Sequence, residues 1–178
     1  MKRSSLFILV LLSFCGTLAC TGQEVMENQS EKQHYFRHIG DSEYIDELDD
    51  PDFELCYGDE EVYQYFNNSE GLEYEGEKIA IIEQFKKEYN TEQVKKESGL
   101  IRIRFIVNCK GETDRFRLIG RDSYYEDKVF DSSITTQILS ITKSLKGWKS
   151  KILDGNSIDY YQYLIFKLKD GQIIEILP

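Results

Sequence analysis

Between residues 101 and 107 apolar and polar positions alternate. Ile101, Ile103, Phe105 and Val107 fall on one side, and Arg102, Arg104 and Ile106 on the other. A period of two is that of a half-buried strand. Asn108-Cys109-Lys110-Gly111 then supplies turn chemistry, with Gly111 suited to a left-handed backbone position. Beyond the turn the alternation resumes: Phe116 and Leu118 face the core, while Arg115 and Arg117 point away. These two runs predict a β-hairpin. The period then lengthens. Ile134, Ile138, Ile141, Leu145 and Trp148 form one stripe at helical spacing, with Asp131, Ser132 or Ser133 as cap and Lys143, Lys146 and Lys149 near the negative end. The lone tryptophan, Trp148, follows Gly147 and is placed to plug the end of the core. A last long strand puts Leu164, Phe166 and Leu168 on the core and Tyr161, Tyr163, Ile165 and Lys167 opposite, before Asp170-Gly171 turns the chain into a short apolar ending.

Upstream, the run KIAIIEQFKKEY places Ile82, Phe85 and Tyr89, with Ile81 or the stem of Lys78, on one face of a second helix. Val62 to Phe66 has strand character. From Thr21 to about Glu54 the texture is polar and acidic, DSEYIDELDDPDFE being the densest run, with a helical turn expected around Tyr44–Leu48. Asp49, Asp50 and Asp52 lack the spaced ligands and glycine of a calcium loop, and His34 and His38 lack an HExxH frame. Neither group is expected to hold metal. The organisation expected is a leader over residues 1–19, an acidic flexible tether over 20–55 and a folded domain over 56–178.

The order strand–turn–strand–helix–strand, with a Trp at the helix end and Gly76-Glu77 opening the preceding helix, resembles the C-terminal domain of TonB-type energy transducers. The resemblance covers about residues 72–174. It implies an α+β fold: an antiparallel sheet of about three main strands in β-β-α-β order, with two packed helices. It also implies a module that pairs with partners and does no chemistry. In such domains the strand after the helix, here Tyr160–Lys169, lies at a sheet edge and recruits an extended peptide by strand addition. Lys149 and Ser150 stand where the family usually places a proline. With two prolines in all, this chain carries no proline-rich spacer, so force transduction is not expected.

The first twenty residues set the expected compartment. Lys2 and Arg3 precede an apolar run, Leu6–Leu12, and a small-residue exit ending Ala19-Cys20. This is a secretory signal, too short to span a bilayer comfortably. Cys20 after Ala19 resembles the lipidated cysteine of bacterial lipoproteins, although Thr17 stands where that motif carries Leu; plain cleavage after Ala19 is the alternative. The exported chain is then expected at the outer membrane, lipid-anchored and facing the periplasm, or free in the periplasm. Two thiols remain, Cys56 and Cys109. In an oxidising compartment they suggest one disulfide.

Charge narrows the partners. The net charge is −10, and residues 1–20 contribute only basic groups, so the remainder is more acidic still. Nucleic acid and attachment to anionic lipid by charge are both disfavoured; a lipid anchor would be the only link to a membrane. Between Leu72 and Pro178 there is no histidine, no GxSxG elbow, no phosphate loop and no dinucleotide fingerprint. No catalytic residue, cofactor or metal is therefore expected. One constellation stands against the acidic background: Arg102, Arg104, Arg115 and Arg117 share the non-core face of the hairpin, and Tyr161, Tyr163 and Lys167 join it if the last strand pairs alongside. Arg and Tyr suit a partner-binding surface. The simpler reading covers that face with the chain's own acidic 56–75 segment or leaves it in water. The function expected is a non-catalytic envelope binding or scaffold lipoprotein that takes an envelope protein or extended peptide. An accessory of a TonB-dependent receptor is the alternative, and an envelope hydrolase the remotest.

Overall fold

The hairpin strands pair as their alternation requires. The structure, a computed structural model, describes residues 42–64 and 72–178. The leader, Cys20, His34 and His38 lie outside the described residues. Strands β1 (Gly99–Val107) and β2 (Thr113–Arg121) run antiparallel, and Asn108 Oδ1 closes their turn by accepting from the amides of Lys110 (3.0 Å) and Glu112 (2.9 Å). Gly111 has φ 83°, and a Cβ there would lie 2.6 Å from the Trp148 carbonyl oxygen, so only glycine fits. The two-strand register shifts between Arg104 and Ile106, where β2 bulges at Arg115 with φ 56°. A bulge bends its strand and re-aims a side chain.

Helix α1 (Glu77–Glu88) buries Ile81 and Phe85, with Ile82 and Tyr89 partly buried beside them. Helix α2 (Ser132–Ser144) starts on Asp131, whose carboxylate accepts from the Ser133 amide at 2.9 Å. It buries Ile134, Ile138 and Ile141, then ends at Ser144, so Leu145 and Trp148 belong to the following segment and not to the helix. That segment is held by a short ladder: Glu75 N donates to Gly147 O (2.7 Å) and Lys149 N to Glu73 O (3.0 Å). The ladder seats Trp148 edge-on to Tyr74, 4.9 Å between ring centres, and to Phe105 at 5.1 Å. Both helices lie on one face of the sheet over Ile101, Ile103, Phe105, Leu164, Phe166 and Leu168.

The remaining strands are β3 (Lys151–Leu153) and β4 (Asn156–Ile158), a separate two-stranded hairpin, then β5 (Tyr160–Lys169) and β6 (Gln172–Leu177). The fold is α+β, and the main sheet has four strands in the order β2-β1-β5-β6, all neighbours antiparallel. This corrects the three-strand expectation. Asp170 and Gly171 both take positive φ (49° and 78°), the conformation of a two-residue hairpin turn. The turn folds the apolar ending back so that Ile176 faces Phe166 and Ile173 faces Leu168. Tyr160–Lys169 is consequently an inner strand, paired with β1 along its length and with β6 over its second half. Among the described residues no helix is long and apolar enough to cross a membrane.

Candidate partner-binding surface

The non-core side of the sheet is shared between two environments. Over β2 and the adjoining ends of β1 and β5 lies an arm, residues 42–63, which packs against the strands although 42–55 was expected to be tether. Ser42 and Asp49 of the arm are buried against the strands. Arg117 donates to both carboxylate oxygens of Asp49, at 2.7 and 2.6 Å, and to the Glu43 carbonyl at 2.6 Å. These bonds hold the Asp49 carboxyl below its usual range although burial pushes the other way. Arg115, turned by the bulge, donates to the Ser42 carbonyl (3.1 Å) and pairs with Asp59. Arg104 donates to Gln64 Oε1 (2.7 Å) and stacks 3.8 Å over the ring of Tyr161. Tyr161 Oη in turn accepts from the Ser42 amide (3.1 Å). Val62, with Phe53 and Leu55, completes the contact on Ile106 and Tyr161. Asp114 takes the Asp50 amide at 2.8 Å, and burial pushes its own carboxyl up.

The arm is stapled at one point. Cys56 and Cys109 form a disulfide, Cα to Cα 6.2 Å, between the arm and the β1–β2 turn. Asp159, fully buried between β4 and β5, sits under the bridge. Its Oδ2 accepts from the amides of Cys56 (2.7 Å) and Tyr57 (3.1 Å), and its Oδ1 from that of Cys109 (2.7 Å). The next turn of the arm joins β5 by a parallel bridge, Tyr63 N to Asp159 O (2.9 Å) and Tyr161 N to Tyr63 O (2.8 Å). Cys56, Cys109 and Asp159 lie close enough to share an ion, but both sulfurs are consumed by the bridge and Asp159 by three amides. This cluster is a structural clamp.

Of the seven residues expected at a partner surface, the structure therefore brings Arg104, Arg115, Arg117 and Tyr161 together under the arm. Arg102, Tyr163 and Lys167 lie on the same face, the first two partly buried and Lys167 exposed, facing Glu175 at 3.7 Å. The expected recruiting edge at Tyr160–Lys169 is already taken by β6 over Ile165–Lys169 and bridged by Tyr63 at its start. The sheet edge nearest to it is β6, and between β6 and α1 runs a groove of about 500 Å³ lined by Ile82, Phe85, Tyr89, Ile173, Ile174 and Ile176. Tyr89 closes one end, its hydroxyl donating to the Gly171 carbonyl (2.8 Å) and its acidity pushed by burial up to about 12. Ile174, at the register shift in β6, is about half exposed. Sequence reasoning missed the groove because it read a short apolar ending after the turn without pairing it as a strand. The Asp170-Gly171 turn followed by Ile173 and Ile176 was the available signal. No family model matches the chain, and neither a curated protein nor a solved structure is found similar to it.

Proposed function

We propose that this chain is a non-catalytic binding or scaffold protein of the cell envelope, exported and lipid-anchored through Cys20, which captures an extended segment of a partner protein along β6. The observation that carries the reading is the pairing of a sheet-edge strand with an apolar helix wall. Main-chain groups on β6 would supply hydrogen bonds to an added strand, and the groove floor would take its alternate side chains. The element order α-β-β-α-β and the seat of Trp148 at the end of the core support the TonB C-terminal-like assignment. Relative to that family, β6 occupies the place where the partner strand would add, so the recruiting edge moves outward by one strand. An accessory role beside a TonB-dependent receptor fits the same groove.

A photo-crosslinking amino acid at Gln172 or Ile174, introduced in the full chain in cells, tests this. Adducts of defined mass from both positions, absent with the same residue at exposed Lys146, are expected. Ile82→Trp, which fills the groove from the helix side, should remove them. Adducts that persist in Ile82→Trp, or that form equally from Lys146, would remove β6 as the recruiting edge.

A further inference from the structure

The half of the outer sheet face that the arm leaves uncovered repeats the chemistry of the half it covers. Register places Ile119, Arg102, Ile165 and Leu177 in one row across all four strands. The next row carries Arg121, Leu100, Lys167 and Glu175. At about 4.8 Å per strand spacing these rows make a surface about 14 Å wide. Leu100, Ile119, Ile165 and Leu177 belong to neither buried cluster, and Ile119 is 37 % exposed. Arg102, at the centre, makes no hydrogen bond or ion pair among the described residues, whereas Arg104, Arg115 and Arg117 are all engaged. Burial elsewhere in the sheet leaves this guanidinium between two isoleucines, an arrangement that favours a carboxylate partner able to shed water at the same time.

The covered half shows what such a surface binds. There an acidic segment lies across the strands, its carboxylates on Arg115 and Arg117 and its apolar side chains, Phe53, Leu55 and Val62, on Ile106 and Tyr161. We infer that this half, which no described residue covers and which is centred on Arg102, Ile119 and Ile165, is a docking surface for an acidic, apolar-bearing segment of a partner protein. A carboxylate of that segment pairs with Arg102, and its apolar side chains cover Ile119 and Ile165. Arg121 and Lys167 are already paired with Asp127 and Glu175, so in a chain of net charge −10 the attraction comes from Arg102 alone, is short-ranged and depends on fit as well as charge. This surface meets the groove only at its β6 margin, and its centre at Arg102, Ile119 and Ile165 lies outside the groove lining, so the two proposals are tested independently.

The probe is a fluorescent peptide with the sequence of residues 42–62, Ser replacing Cys56, titrated into the intact disulfide-bonded protein by anisotropy. Saturable binding that weakens with added salt is expected. Arg102→Glu should weaken it at least about tenfold, and Ile119→Asp comparably, because each removes one half of the recognition. Arg102→Gln should fall between, which separates charge loss from misfolding, and all three variants should keep wild-type melting. No saturable binding to the wild type, or equal affinity for wild type and Arg102→Glu, would overturn the proposal. Loss on Arg117→Glu with none on Arg102→Glu would place the peptide in the arm's own position and overturn it equally. A dimer of the chain alone, seen by sedimentation and dissolved by Arg102→Glu, would assign the face to a second copy instead.

Discussion

Replacing Asp159 should damage the protein more than any other surface-distant carboxylate, because three main-chain donors converge on it. Its carboxylate accepts from Cys56, Tyr57 and Cys109 at 2.7, 3.1 and 2.7 Å, and the residue is fully buried. A hydrogen bond to a charged group contributes about 1.5–3 kcal/mol net. Water can replace part of that at Tyr57, which is exposed, but less at the half-buried cysteines. Asp159→Ala should therefore cost about 3–5 kcal/mol, and Asp159→Asn, which keeps one acceptor oxygen, about 1–3 kcal/mol. Against a typical total of about 5–15 kcal/mol, the alanine loss is readily measured. The assay is urea unfolding of the oxidised protein, with the disulfide verified by mass so that its own contribution stays constant. That contribution is up to about 4 kcal/mol by chain entropy for a separation of 53 residues. Amide exchange at Cys56, Tyr57 and Cys109 should accelerate in both variants. A loss below about 1 kcal/mol in Asp159→Ala, with exchange at those amides unchanged, would refute the clamp.

Trp148→Ala should cost about 3–5 kcal/mol in the same assay, since the indole is buried against Tyr74 and Phe105, while exposed Lys146→Ala should be nearly neutral; equal small losses would mean the ladder does not seat the ring. Asp49→Asn should destabilise at neutral pH but not in acid. The folded Asp49 carboxyl lies below its ordinary value of 3.8, so its contribution is present above that value and fades as pH falls through the lower folded one. Unfolding of both proteins across that range reads the difference, and a gap independent of pH would contradict the Arg117 pairing. Fatty-acid analogue labelling should mark the wild type and miss Cys20→Ser; an unlabelled wild type would remove the anchor.

The faces of the elements were legible in the sequence, and the company they keep was not. Ile101 to Val107, Phe116 with Leu118, and Leu164 to Leu168 all point as their alternation indicates, because a period of two is a local property. The α2 stripe stays on the core through Leu145 and Trp148, but the helix itself ends at Ser144. Spacing cannot register that Leu145 already caps the helix. Sheet edges are non-local. Whether Tyr160–Lys169 is an edge depends on six residues beyond it, and the turn at Asp170-Gly171 decides the matter. The arm is harder still. Asp49, Asp59 and Asp159 are indistinguishable by type from the chain's other acids. Only the bulge that aims Arg115, and the disulfide that brings residue 56 onto the hairpin turn, select them. The notion that the chain's own acidic segment covers the arginines was available, yet its extent was misplaced: among the described residues the covering ones reach back to Ser42 and leave Arg102 outside.

Amide hydrogen exchange along β6, measured on the intact protein alone and bound to the partner recovered through the crosslink at Ile174, tests the binding mode most directly. Strand addition requires protection to rise at amides within Ile173–Leu177 while those of β5, already paired with β1, stay unchanged. Protection confined to β2 or to the arm, with β6 unaffected, would contradict it.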